Sequence, residues 1–132
     1  MRLVIDASAA VEIALDRRGA ARLVEIVSEA DEVLAPELLV AEVVNTVWKY
    51  HQFEGLDLNT CDRALRFAVG LVDTLVSHKE ICHEAFHLSR SERRRAAYDM
   101  FYLALARRED AAFMTLDNAL RKEAVRQGIR IP

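Results

Sequence analysis

The sequence predicts an α/β protein built on a mainly parallel sheet with helices on both faces. Three observations lead there. Short apolar, β-branched runs alternate with longer stretches of helical period. The chain has 132 residues and is 52% hydrophobic, enough to bury a real core. No linker, repeat or low-complexity segment interrupts it, so we expect one domain over residues 1–132.

The first run, RLVI (2–5), reads as a buried parallel strand. SAAVEIALD follows with helical composition, and Ser8 is placed to cap it. In GAARLVEIVSEA, Ala20, Leu23, Val24 and Val27 recur at helical spacing. EVLAP (32–36) is a second strand stopped by Pro36. ELLVAEVVNTVWKYHQF is a long amphipathic helix with Val40, Val43, Val44 and Val47 as its apolar stripe, broken at Gly55. Asn59 or Thr60 then caps a helix running to about Asp73. TLVSH (74–78) is a short third strand and KEICHEAFHLSRSERR a helix. RAAYDMFYLALARRED is the next helix, AAFMTL a strand, DNALRKEAVRQG a helix ending at Gly128, and IRI a last short strand.

The formal net charge is −3, which argues against binding nucleic acid by bulk charge but not by local basic patches. No apolar run reaches the length of a membrane span. Asp6 and Glu12 break the opening apolar patch, so the start reads as the first strand of a cytoplasmic protein rather than a signal peptide. Cys61 and Cys82 form no CxxC pair and are expected to be reduced. There is no glycine-rich phosphate loop and no motif for a covalent Ser or Cys nucleophile.

The acids are more informative. Asp99 is the one charged residue between Ala96 and Ala106 in an otherwise apolar or aromatic run. A buried carboxylate neutralises, pairs or binds a metal. Asp99 could cap a helix starting at Met100, pair with Arg95, or ligate a cation. Asp6 and Asp117 each follow a strand directly, where open parallel sheets collect ligands, although each could simply cap the next helix. Glu42 lies opposite the valine stripe with Asn45, an arrangement that a solvated polar face explains by itself. Taken together, Asp6, Glu42, Asp99 and Asp117 suggest a site for a hard cation, which takes oxygen ligands and can act on phosphates.

In order along the whole chain, LVIDASA, APELLVAEVVNTV, YDMFYLALA and FMTLDNAL resemble the four motifs of a PIN-domain ribonuclease of the VapC toxin type. The resemblance implies a three-layer α/β/α sandwich, commonly with strand order 3-2-1-4-5, that brings Asp6 and Asp117 together. It implies Mg2+- or Mn2+-dependent cleavage of RNA, in which activated water attacks phosphorus and leaves a 5′-phosphate and a 3′-hydroxyl. On this reading Asp6 and Asp99 are the main metal ligands. Glu42 completes the shell or orients water, and Asp117 acts through water or in a second metal site. Ser8, Asn45 and Thr115 are supporting hydrogen-bond donors. Met100 and Ala97 depart from the family, which usually has a small residue at the first position and often a hydroxyl residue at the second.

The resemblance also implies a cognate antitoxin, a homodimer and no membrane attachment. Leu15, Leu23, Ile26 and Val27 on the first two helices could form a groove for an antitoxin segment, or face the sheet. The apolar surface around Trp48 and the following helix could form the dimer interface, or core. RNA needs a cationic approach, and Arg90, Arg93, Arg94 and Arg95 are the first choice. Arg17 and Arg18, Arg107 and Arg108, and Arg121 and Lys122 are further runs, any of which could be a solvated face. His83 and His87 stand one helical turn apart without a closed zinc ligand set. The competing class is a PIN fold that has lost effective catalysis and serves as a binding or assembly module.

Overall fold

The computed structural model describes residues 1–91 and 97–132. Strand β1 (Arg2–Ile5) lies between β2 (Glu32–Pro36) and β4 (Ala112–Met114), and β3 (Thr74–Val76) pairs with the far side of β2. All three pairings are parallel, giving the order β3-β2-β1-β4. Val4 stands level with Leu34 on one side and Phe113 on the other. Leu3, Val4 and Ile5 are all fully buried, as expected of a strand covered on both faces.

Helices α1 (Ala7–Ala14) and α2 (Ala20–Ser28) connect β1 to β2, and α3 (Leu38–Glu54) and α4 (Leu58–Gly70) connect β2 to β3. Helices α5 (His78–Ser91) and α6 (Tyr98–Arg108) carry the chain back from β3 to β4, and α7 (Asn118–Arg126) follows β4. Right-handed crossovers place α1 to α4 on one face of the sheet and α5 and α6 on the other. Consistently, α1 packs on α3 and α4, while α6 packs on β1, β2 and β4. The chain leaves β1 toward β2 and returns on its other side as β4. The switch point of the sheet is therefore between β1 and β4, and a crevice opens at their carboxyl ends.

The expected fifth strand is not formed. The Ile129 N–H is engaged by the Ala124 carbonyl at the end of α7, at 2.9 Å. The one backbone bond to β4 runs from Phe113 N–H to the Arg130 carbonyl, at 2.8 Å, which is too little for a ladder. The helix expected to reach Asp73 stops at Gly70 because Asp73 belongs to the sheet edge. Its N–H donates to the Val33 carbonyl and its carboxylate accepts from Val33 N–H, at 2.9 and 2.8 Å. The third strand likewise ends at Val76, since His78 opens α5.

Two caps differ from expectation by one helical turn or less. Asp6, not Ser8, caps α1, accepting from Ala9 N–H at 3.0 Å. Asp57, not Asn59 or Thr60, caps α4, accepting from both the N–H and the hydroxyl of Thr60. The buried stripe of α3 is Leu39, Val43 and Val47, so Val44 is exposed and Val40 only half-buried. The helix is rotated from the expected valine stripe, and this rotation brings Glu42 to the edge of the core. Gly55 ends α3 in the left-handed conformation, φ +70°, as a glycine cap does.

Candidate active site

Asp6 follows β1 directly, and its N–H donates to the Met114 carbonyl at the end of β4, at 3.1 Å. This bond carries the β1/β4 pairing one residue past the strands and fixes where the carboxylate starts. The side chain is only 5% exposed. Burial without a cation would make ionisation costly, and three donors compensate. Oδ1 accepts from the Ser8 hydroxyl at 2.6 Å and from Ala9 N–H, while Oδ2 accepts from the Thr115 hydroxyl at 2.5 Å. Burial nonetheless raises the Asp6 carboxyl above its ordinary range. The hydrogen bonds from Ser8, Thr115 and Ala9 oppose that rise, and the Asp117 charge adds to it.

The two hydroxyls also accept. Ser8 Oγ receives the Leu116 N–H at 3.0 Å, and Thr115 Oγ1 receives the Asp117 N–H at 3.0 Å. Each hydroxyl thus donates to Asp6 and accepts from the loop after β4, which locks the ends of the two central strands together. Asp117 is exposed and caps α7, its Oδ1 accepting from Ala119 N–H and Leu120 N–H at 2.8 and 2.9 Å. Its capping role is therefore real, and it stands beside the Asp6 network at the same time.

Glu42 reaches the crevice from α3 and Asp99 from the first turn of α6, both half-buried. The Glu42 carboxyl is pushed up to about 7 by burial first, then by the charges of Asp99 and Asp6. Periodicity favoured a solvated face for Glu42; packing puts it among the other acids instead. Because α6 starts at Tyr98, Asp99 is not the cap of a helix beginning at Met100. It sits where the positive end of the helix dipole favours a carboxylate. Its expected pairing with Arg95 falls on a residue outside the described ones.

The structure therefore brings Asp6, Glu42, Asp99, Asp117, Ser8 and Thr115 to one end of the sheet. Asn45 is exposed on α3 and does not join the hydrogen-bonded network. Ala97 is the N-cap of α6 and offers no side-chain cap, so the hydroxyl missing at this position is a missing helix cap. Met100 is fully buried in the core. Of the basic candidates, Arg90 is exposed near the end of α5, while Arg93, Arg94 and Arg95 lie outside the described residues. Arg121 lines a shallow groove of about 170 Å³ with Arg22 and Thr115, adjoining the Asp6 network. His83 and His87 line a separate groove of about 660 Å³ between α5 and α6, together with Arg107 and Arg108.

Sequence reading missed one participant. Tyr102 lies within the apolar or aromatic run around Asp99, yet its hydroxyl is buried within the influence of the Glu42, Asp6 and Asp99 charges. The signal was available: it stands one helical turn after Asp99 and carries a polar atom.

The donor set suits a hard divalent cation: carboxylate and hydroxyl oxygens, with the Asp6 and Glu42 carboxyls raised by burial and by neighbouring carboxylates. Among the described residues, no three acidic, histidine or cysteine side chains already stand close enough to hold one ion.

A parallel sheet with carboxylates gathered at its switch point, two from strand ends and two from flanking helices, defines a PIN-like α/β protein. The chain belongs to the PIN-domain family, whose profile matches residues 3–125. It is 30% identical over 128 residues to ribonuclease VapC3 of Pyrobaculum aerophilum, covering 93% of this chain and 95% of that one. The fold is similar to that of PAE2754 from the same organism, with a TM-score of 0.67 and 18% identity over 93% of this chain and 79% of the other. It is also similar to VapC20 of Mycobacterium tuberculosis, described as a sarcin-ricin loop cleaving toxin. There the TM-score is 0.63 at 12% identity, over 91% and 93% of the two chains.

Proposed function

We propose that this protein is a Mg2+- or Mn2+-dependent endoribonuclease and the toxin of a toxin–antitoxin pair. The observation that carries this reading is the convergence on one crevice of a buried, hydrogen-bonded Asp6 with Asp99 and with Glu42, on which the charges of the other two act. The charges of Asp99 and Asp6 disfavour ionised Glu42, and a divalent cation would remove that penalty. Kinship to a VapC ribonuclease over nearly the whole chain supports the substrate class.

Asp6 and Asp99 would hold the ion, with Glu42 completing the shell or orienting water and Asp117 acting through water. When bound, the cation supplies Lewis acidity, making water a better nucleophile and neutralising charge on a phosphate in transit. Ser8 and Thr115 hold the Asp6 carboxylate in one orientation, so that little reorganisation accompanies binding. Glu42, whose carboxyl is raised by burial and by the charges of Asp99 and Asp6, would release its proton as the cation binds. Arg121 and Arg22, beside Thr115, offer charge to an approaching phosphate backbone, and exposed Arg90 on α5 is a further candidate contact.

Partner proposals rest on surface. Leu15 lines a groove with Tyr50 and Leu56, and Leu23 and Ile26 line the groove that holds Arg121. An antitoxin segment seated in the second groove would lie against Thr115, beside Asp6. Trp48 (51% exposed) and Phe53 (74%) pack edge to face on α3, and with Val44 on the same helix they support self-association as a homodimer. Among the described residues, no helix is long and apolar enough to cross a membrane. An enzyme with cellular RNA as substrate would act in the cytoplasm.

The test is Mg2+-dependent cleavage of RNA by purified wild type, Asp6→Asn and Asp99→Asn. Both variants are expected to lose cleavage while keeping the wild-type circular dichroism spectrum. Undiminished cleavage by either variant would sink the assignment. A binding module without catalysis would show no cleavage in the wild type, and no growth arrest on expression that these substitutions relieve.

A further inference from the structure

Among the described residues, two buried side-chain polar atoms lack a hydrogen-bond partner: His78 Nε2 and Tyr102 Oη. The His78 ring packs edge-on against Phe101 and can carry its proton on either nitrogen, so its lone atom need not be a donor. Tyr102 has no such freedom. Burial and the charges of Glu42, Asp6 and Asp99 keep its hydroxyl protonated far above the ordinary range, so Oη–H is a donor. Leaving a buried donor without an acceptor is costly.

Packing does not explain the hydroxyl. The ring is 1% exposed and stacks at a tilt on Phe113, with centroids 6.1 Å apart, contacts that phenylalanine would make equally well. The charges that act on Oη are those of the site, Glu42, Asp6 and Asp99. The backbone of Ala7, directly after Asp6, is near it but short of hydrogen-bond geometry. Of the carboxylates, Glu42 acts on it most strongly.

The accounts of these two residues are complementary. Asp6 already accepts from Ser8, Ala9 and Thr115. Among the described residues the Glu42 side chain accepts no hydrogen bond, and it is the Glu42 main-chain carbonyl that accepts from the Thr46 hydroxyl. One buried donor lacks an acceptor, and a neighbouring carboxylate lacks a donor. We propose that Tyr102 is a positioning residue of the acidic pocket, whose hydroxyl donates to Glu42 when the cation is bound and holds that carboxylate in its ligating orientation. This rests on the metal-dependent reading above.

The experiment is isothermal titration of the full chain with MnCl2 at pH 8 without RNA, for wild type, Asp6→Asn, Tyr102→Phe, Glu42→Gln and the Tyr102→Phe/Glu42→Gln double variant. Tyr102→Phe is expected to weaken Mn2+ binding about tenfold. Its melting temperature in EDTA should be unchanged or higher, since an unpartnered hydroxyl has been removed. In the Glu42→Gln background the same substitution should have little further effect, because the two act as one unit. Wild-type affinity in Tyr102→Phe, with binding still lost in Asp6→Asn, overturns the role of Tyr102 and leaves the metal site standing. An undiminished penalty in the Glu42→Gln background overturns Glu42 as its partner. Failure of the wild type to bind Mn2+ overturns both readings.

Discussion

Thr115 Oγ1 donates to Asp6 Oδ2 at 2.5 Å, joining residues 109 apart in the chain. The bond ties the end of β4 to the end of β1 and gives a buried carboxylate one of its three donors. Replacing Thr115 with valine keeps the volume and removes the donor. A hydrogen bond to a buried charged group contributes about 1.5–3 kcal/mol. We expect Thr115→Val to lose stability in that range in urea unfolding at pH 8, and Thr115→Ser to lose much less. Mn2+ affinity should fall with the valine and not with the serine.

The pH dependence follows from Glu42. Its carboxyl is raised to about 7 from its ordinary 4.5. A raised carboxyl favours the folded state while protonated, so its contribution is complete below about pH 4.5 and is lost as pH rises through 7. For a half-exposed group we expect a loss on the order of 1 kcal/mol once solvent screening is counted. In EDTA, the melting temperature of wild type relative to Glu42→Gln should therefore fall between pH 5 and 8. With Mn2+ present the trend reverses, because protons compete with the ion. The thermal shift produced by Mn2+ should grow over the same range and flatten in Glu42→Gln.

Asp117 serves two purposes that substitution can separate. Its Oδ1 caps α7 through two backbone N–H groups. Asparagine can cap equally well, and alanine cannot. Asp117→Asn should keep wild-type stability and lose RNA cleavage, whereas Asp117→Ala should lose cleavage and about 1 kcal/mol of stability. Parallel urea titrations and cleavage assays distinguish the two; full cleavage by Asp117→Asn would leave the residue only its cap.

Arg121 stands at the start of α7 in the groove that includes Thr115, and no carboxylate neutralises it among the described residues. If it meets a phosphate, Arg121→Gln should weaken RNA binding by catalytically inactive Asp6→Asn protein. The slope of log affinity against log salt should drop by about 0.7, the value for one contact on a single strand. An unchanged slope would remove Arg121 from the RNA path.

Much of this architecture was legible along the chain. RLVI, EVLAP and AAFMTL became β1, β2 and β4 because short β-branched runs have few alternatives to a doubly covered strand. Gly55 and Gly128 mark helix ends with positive φ, where side chains other than glycine are strained. Asp6 and Asp117 were readable as strand-end acids because their position depends only on local order. The IRI segment misled because strand propensity is local, whereas the capture of Ile129 by the end of α7 is not.

By itself, then, the amino-acid sequence determined the alternation of elements, the identity of the four acids and the kinship they carry. Tertiary structure alone decided what those acids meet. The rotation of α3 took Glu42 from an expected solvent face to the core edge, because the stripe that fits the neighbouring helices is Leu39, Val43 and Val47. The strand order put Thr115 on Asp6, a contact that no local pattern contains. It also buried the Tyr102 hydroxyl where the charges of Glu42, Asp6 and Asp99 act on it. Periodicity reports which face of a helix is apolar; only packing fixes what each buried polar atom faces.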